Sequence, residues 1–298
     1  MSLFKSPIVL ITFKKHSALE EILTVISSYN PPKLYIFQDK AESEEDFILT
    51  EKVNNIIQNF NFNYPIEFIR HKTPLKLNKA VKNALDYCFD IEEKLIILED
   101  DIVPTDSFFN FCNHLLVKYD GSSEIGCING CNLEAVRVEN KYFLSDISFP
   151  YWGWASWRDK WAKFSLDNYY WEHDKNKIVK SIFKENQKFF QDIFDGNARS
   201  LNVWDLQWNV SLIANGYKTL IPAVNLIENK GFEKDALSTN YNNSQFKEMK
   251  SHSIDVNTLS RKKYLTNSFR RKYEKKIRAF VLEVQDNLNN DSSKKFEV

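Results

Sequence analysis

Short β-rich runs alternate with amphipathic helical segments over the first 130 residues, and this alternation limits the fold more than any other feature of the chain. Pro7–Phe13, Lys33–Gln38 (introduced by Pro31 and Pro32), Ile66–Arg70, Leu95–Leu98 and Glu124–Gly130 have the length and composition of strands. Between them, Ser17–Ser28 carries Leu19, Ile22, Leu23, Val25 and Ile26 at helical spacing. Glu44–Phe60, Leu77–Tyr87 and Pro104–Tyr119 read as further helices, the last capped by Thr105 or Asp106. Repeated β-α-β units predict an α/β fold, with a mainly parallel sheet flanked by helices.

The texture changes from Tyr142. Trp and Tyr cluster, and helices are expected over Asn176–Phe194 and over Val203–Asn215, the latter stopped by Gly216. Lys218–Ala223 reads as one more strand. The remainder is charged and helical in pattern. No internal repeat or low-complexity linker divides the chain, so the expected organisation is a catalytic domain over 1–245 and a basic helical C-terminal extension over 246–298.

Composition excludes several classes. Formal net charge is +0, which gives no global attraction to nucleic acid. No apolar run is long enough to span a bilayer, and the first residues have no signal-peptide core. Cys88, Cys112, Cys127 and Cys131 form no CxxC pair, and reduced buried thiols in a cytoplasmic protein are expected. The five histidines lack metal-ligand spacing.

The strand Leu95–Leu98 stops at three adjacent carboxylates, Glu99, Asp100 and Asp101. Open α/β sheets bind ligands beyond the carboxyl ends of their strands. Three acids there repel one another, and a divalent cation offsets that repulsion. Oxygen-only ligands suit Mg2+ or Mn2+, which leave positions for water and substrate phosphate. The alternative is a solvated acidic loop. A P-loop ATPase would need GxxxxGK[ST], and a dinucleotide fold GxGxxG. The chain has seven glycines, none before Gly121, and so has neither. The loop after the first strand, Thr12 to His16, also lacks the glycines of a sugar nucleotidyltransferase.

These features, with four further motifs, resemble a GT-A glycosyltransferase, in particular the bacterial sugar-transferase group related to N-acetylglucosaminyltransferase I. The resemblance covers most of residues 7–240. Leu34 to Asp39 is similar to the family's strand ending in an acid that meets the uracil base. Leu98 to Asp101, followed by Pro104, Phe108 and Phe109, matches its acidic motif. The resemblance implies Asp101 as metal ligand, Asp100 facing the ribose and Glu99 the donor sugar. Between these motifs, His71 to Ala80 lacks the glycine that relatives often carry.

Tyr151 to Trp161 holds Trp152, Gly153, Trp154, Trp157 and Trp161, and resembles the family's Trp-Gly-Trp-Ala-(Ser/Thr)-Trp signature. Aromatic faces stack on the apolar faces of sugars, so Trp152, Gly153, Trp154 and Trp204 are expected at the sugar or acceptor pocket. Trp154 and Trp157 could equally be wedges behind it. Trp204-Asp205, followed by Trp208, resembles the segment whose acid is the catalytic base. An acid at a helix start can also be a cap. Asn229, Lys230, Gly231 and Phe232 resemble a Gly-Phe loop that closes over the diphosphate; an ordinary surface turn is the alternative.

The tail carries Arg261, Lys262, Lys263, Arg270, Arg271, Lys272, Lys275, Lys276 and Arg278, with Leu265, Phe269, Tyr273, Ile277, Phe280 and Val281 interleaved at helical spacing. Such a helix can lie on an anionic membrane, or dock on the domain with a solvated basic face. The expected function is metal-dependent, inverting transfer of a sugar from a UDP-sugar, UDP-GlcNAc by resemblance, to a glycan or lipid-linked acceptor. Asp205 would be the base. The protein would sit in the cytoplasm or peripherally at the inner membrane face. A retaining enzyme on the same fold and a non-catalytic carbohydrate-binding protein remain as alternatives.

Overall fold

The structure is a computed structural model that describes residues 5–134, 140–196, 203–232, 244, 246–247, 249–261 and 267–290, with side chains of the last segment described over 271–283. The first half follows the expected alternation: β1 (Ile8–Thr12), α1 (Leu19–Tyr29), β2 (Leu34–Gln38), α2 (Glu44–Asn59), β3 (Ile66–Arg70), α3 (Lys76–Ile91) and β4 (Lys94–Glu99). A short strand β5 (Ile102–Pro104) precedes α4 (Asp106–Lys118) and β6 (Ile125–Asn129). Then come β7 (Lys141–Ser145), β8 (Trp154–Trp157), α5 (Arg158–Trp161), α6 (Tyr169–Lys180), α7 (Lys184–Gly196), α8 (Trp204–Ala214), β9 (Lys218–Pro222), β10 (Ile227–Asn229), β11 (Ser260–Arg261) and α9 (Asn267–Asn290).

The main sheet has the order β11-β7-β9-β6-β8-β4-β1-β2-β3. β1 pairs in parallel with β2 and β4, β2 with β3, and β6 with β9. β8 runs antiparallel between β4 and β6, and β7 antiparallel to β9. The sheet is therefore mainly parallel and helix-flanked, as the alternation predicts. Successive side chains along a strand point to opposite faces. Ile8, Leu10, Ile36, Ile96 and Leu98 accordingly join one core with α1 and α4, while Val9, Ile11, Tyr35, Phe37, Leu95 and Ile97 join a second with α3 and α8.

The structure departs from the expected elements at three places. The Trp-rich block supplies a buried strand, β8, before its short helix, because Trp154 and Trp157 are both covered when the chain slots between β4 and β6. The helix expected over Asn176–Phe194 is two helices. Phe183 N–H donates to Glu274 Oε2 (3.3 Å), as does Asn186 Nδ2 (2.9 Å), so a carboxylate from α9 meets the start of α7. β7 and β10 were not expected at all; both are short strands whose pairing is set by distant chain.

The C-terminal residues pack on the same core as the rest. Tyr273, Ile277, Phe280 and Val281 of α9 are buried, Tyr273 against Phe143 and Phe280 against Phe149, Trp152 and Phe246.

Candidate functional site

Strand order reverses at β1: the chain steps outward through β2 and β3 and returns to the other side of β1 as β4. Crevices beyond such switch points are the usual ligand sites of open α/β sheets. The loop after β1 and the acids after β4 meet there. Asp100 Oδ2 accepts from the amides of Phe13 (2.8 Å) and Lys15 (3.3 Å), which fastens the two loops together. Lys15 Nζ reaches Asp101 Oδ2 at 2.5 Å.

The small sheet brings a third segment to this point. β10 pairs antiparallel with β5, Asn229 opposite Ile102. Lys230 N–H then donates to the Asp101 carbonyl at 2.8 Å, and Gly231 N–H to Asn229 Oδ1 at 2.7 Å. Gly231 passes so close to the acid that an added Cβ would lie 2.3 Å from Asp101 Oδ2. A glycine is required for the chain to pass over that carboxylate. Lys230 Nζ also lies 3.2 Å from Glu228. The motif continues in the sequence through residues 233–239, which lie outside the described residues.

Asp205 arrives on α8. Trp204 and Trp208, four apart, share the face of α8 that enters the core beside Trp154 and Trp161. This fixes the helix, and Asn78 Oδ1 accepts the Trp204 amide (2.9 Å) at its start. Asp205, one step around the helix, is half-buried, with Oδ1 accepting from the Leu206 amide at 2.8 Å. Burial raises its carboxyl to about 7, although the backbone bonds pull the other way. Amide bonding favours the charged form and burial the neutral one, and at Asp205 burial is the larger effect.

Glu99 and Asp100 are likewise raised, first by burial. Asp101 raises both, Lys15 lowers both, and Asp205 adds to the rise at Glu99. Glu99, Asp100, Asp101 and Asp205 therefore form one electrostatic unit, although a hundred residues separate the two parts. Lys15 is pulled down by burial but held above its ordinary value by Asp101, Asp100 and Glu99.

The other expected residues fall elsewhere. Asp39 pins a loop: its carboxylate accepts from the Lys40, Leu75 and Lys76 amides and faces His71 Nδ1 at 3.3 Å. Burial raises this acid, but His71 and the amides outweigh it and hold it below the usual range. Lys76, in that loop, has φ 62°, the left-handed backbone that glycine prefers. Trp154 (1% exposed) and Trp204 (4%) stack on each other, ring centroids 5.8 Å apart, inside the core. They form the wall behind the site. Gly153, with φ 64°, turns the chain into β8 against Phe108 and Ile227. Trp152 is half-buried, its ring edge-on to Phe232 and Phe280. It links α9 to the Gly231 loop.

Sequence reasoning missed the parts played by Lys15 and Asn78. The paired Lys14 and Lys15 after the first strand were the only signal for Lys15. Asn78 acts on a backbone amide and leaves no pattern.

No protein-family model matches the chain, and no curated protein matches it.

Hard carboxylate oxygens and an excess of negative charge fit Mg2+ or Mn2+. Among the described residues no group of three His, Cys, Asp or Glu side chains forms a metal cage.

Proposed function

We propose that this protein is a GT-A glycosyltransferase that moves a sugar from a UDP-sugar to an acceptor hydroxyl with inversion, using Mn2+ or Mg2+. The observation that carries the reading is the meeting of Glu99, Asp100 and Asp101 with the loop after β1 and the Lys230-Gly231 loop at the switch point, with the charge of Asp205 felt at Glu99. Asp101 would hold the ion, which when bound supplies positive charge to the diphosphate. Asp205 takes the proton from the acceptor hydroxyl as that oxygen attacks the anomeric carbon, whose bond to the diphosphate oxygen breaks so that UDP leaves with the electron pair. Asp100, with Oδ2 committed to the loop amides, has Oδ1 for the ribose. Glu99 faces the donor sugar, and the Lys230-Gly231 loop covers the diphosphate. Asp39 acts by holding the loop 71–76 beside the base. The donor that the motifs favour is UDP-GlcNAc. The acceptor is a glycan or lipid-linked sugar, and Trp152 is the aromatic residue best placed to meet it.

The same reading includes attachment to an anionic membrane surface at the inner face of the cell membrane. What supports it is that Arg271, Lys272, Lys275 and Arg278 point outward from α9 while its apolar face is spent on docking. Among the described residues no helix is long and apolar enough to cross a membrane.

Calorimetry with UDP and Mn2+ tests the assignment. Asp101→Ala is expected to abolish Mn2+-dependent UDP binding while keeping the native melting transition, since it removes one of several crowded like charges. Unchanged affinity in that variant would end the proposal. The anomer of the product, read by NMR, separates inversion from retention.

A further inference from the structure

We infer that Lys15 is a built-in counter-cation of Asp101 that moves to the donor's diphosphate when metal ion and nucleotide bind; this rests on the glycosyltransferase reading above. The geometry supplies the first half. Lys15 Nζ sits 2.5 Å from Asp101 Oδ2, and the same oxygen lies directly under the Gly231 backbone. An ammonium and a cation bound at the same carboxylate compete for its negative charge. A divalent charge on that carboxylate also repels the lysine, because Coulomb energy scales with the product of the charges.

The second half follows from how the residue is mounted. The Lys15 backbone is fixed, since its amide donates to Asp100. Its side chain is 29% exposed and ends on a flexible four-carbon stem. The head can therefore reorient on that stem while the backbone stays anchored by Asp100. A diphosphate placed under the Lys230-Gly231 loop is a new anion within that swing. Its oxygens accept a charge-assisted hydrogen bond stronger than a neutral one. Glu99 and Asp100 are the competing destinations, since both already act electrostatically on Lys15.

This arrangement gives the site a fixed order of preference. The lysine opposes the ion when it comes alone and favours it when it comes with nucleotide. A residue with a purely structural role has no reason to act in opposite directions on the two ligands.

The test uses the full chain as wild type, Lys15→Gln and Lys15→Arg. Electron paramagnetic resonance reads Mn2+ binding without nucleotide, and calorimetry reads UDP binding at saturating Mn2+. Lys15→Gln is expected to bind Mn2+ alone about tenfold more tightly and UDP about tenfold more weakly, the loss of one charge-assisted bond. Lys15→Arg, which keeps the charge, is expected to stay near wild type for UDP. The inference is overturned if Lys15→Gln leaves Mn2+ affinity unchanged, if both affinities fall together, or if UDP affinity does not change, which would send the lysine to Glu99 or Asp100. If wild type binds no UDP at any Mn2+ concentration, the glycosyltransferase reading falls as well.

Discussion

At the scale of single residues, the chemistry depends on a carboxylate kept basic by its surroundings. Asp205→Asn is expected to lower kcat by about 10²–10⁴-fold with donor affinity nearly unchanged, because a general base acts in the chemical step. Steady-state transfer and UDP calorimetry check the two halves separately. In wild type, kcat should rise with pH through about 7, where Asp205 loses its proton. The same residue affects stability. A carboxyl whose folded value is raised binds its proton more tightly folded than unfolded. Its cost to the fold therefore grows as pH rises from the ordinary carboxylate range and is complete above about 7. Asp205→Asn should raise the melting temperature by several degrees at pH 8 and by less at pH 5. Thermal melts with a chelator present measure this. Equal shifts at both pH values would show that the charge is not what the fold resists.

At the scale of elements, the sequence carried β1 to β4 and α1 to α4 because each is written locally, the strands as short apolar runs such as Ile8–Ile11 and the helices as a period of 3.6 in residues such as Ile22 and Ile26. It did not carry β7, β8 or β10. Each is three to five residues long and becomes a strand only because another strand lies beside it. The same limit hid Lys15: a lysine after a strand is common, and its partner Asp101 is set by the return of the chain to β1. The acids and Asp205 were legible because their side chains are costly to place and so stand out from the pattern. The surroundings of the Trp residues were not, since one Trp looks alike in a wall or on a pocket floor. The loop before α3 offers a test at this scale. Lys76 holds φ 62° with its amide bonded to Asp39 Oδ2 at 2.9 Å. Lys76→Gly keeps that bond and removes the Cβ clash, so it should stabilise the protein by about 0.5–1 kcal/mol in urea unfolding. A loss of stability would mean that the lysine side chain contributes more than its backbone costs.

At the scale of the whole molecule, the C-terminal helix belongs to the core. Four large side chains of α9 are buried, each worth about 1.5–3 kcal/mol, a sum comparable to the stability of an entire domain. Deleting the helix would therefore test folding and not membrane attachment. Charge reversal on its outer face tests attachment cleanly. Lys272→Glu with Lys275→Glu should cut binding to phosphatidylserine vesicles by tenfold or more, since each basic side chain near such a surface is worth about 1 kcal/mol. Vesicle sedimentation at low and high salt reads it, with binding expected to fade as salt screens the charges. Sedimentation equal to wild type would assign the basic face to solvent alone.

β8 has a consequence for how the protein is made. Among the described residues it is the strand that joins the β4 side of the main sheet to the β6 side, and it begins about 25 residues after β6 ends. Until Trp154–Trp157 have left the ribosome, β1 to β4 can assemble but β4 presents an open apolar edge, the surface on which other chains pair and aggregate. Synthesis therefore passes through an interval in which the acid-bearing strand is exposed. The aromatic residues that stand behind the finished site are the ones that end that interval.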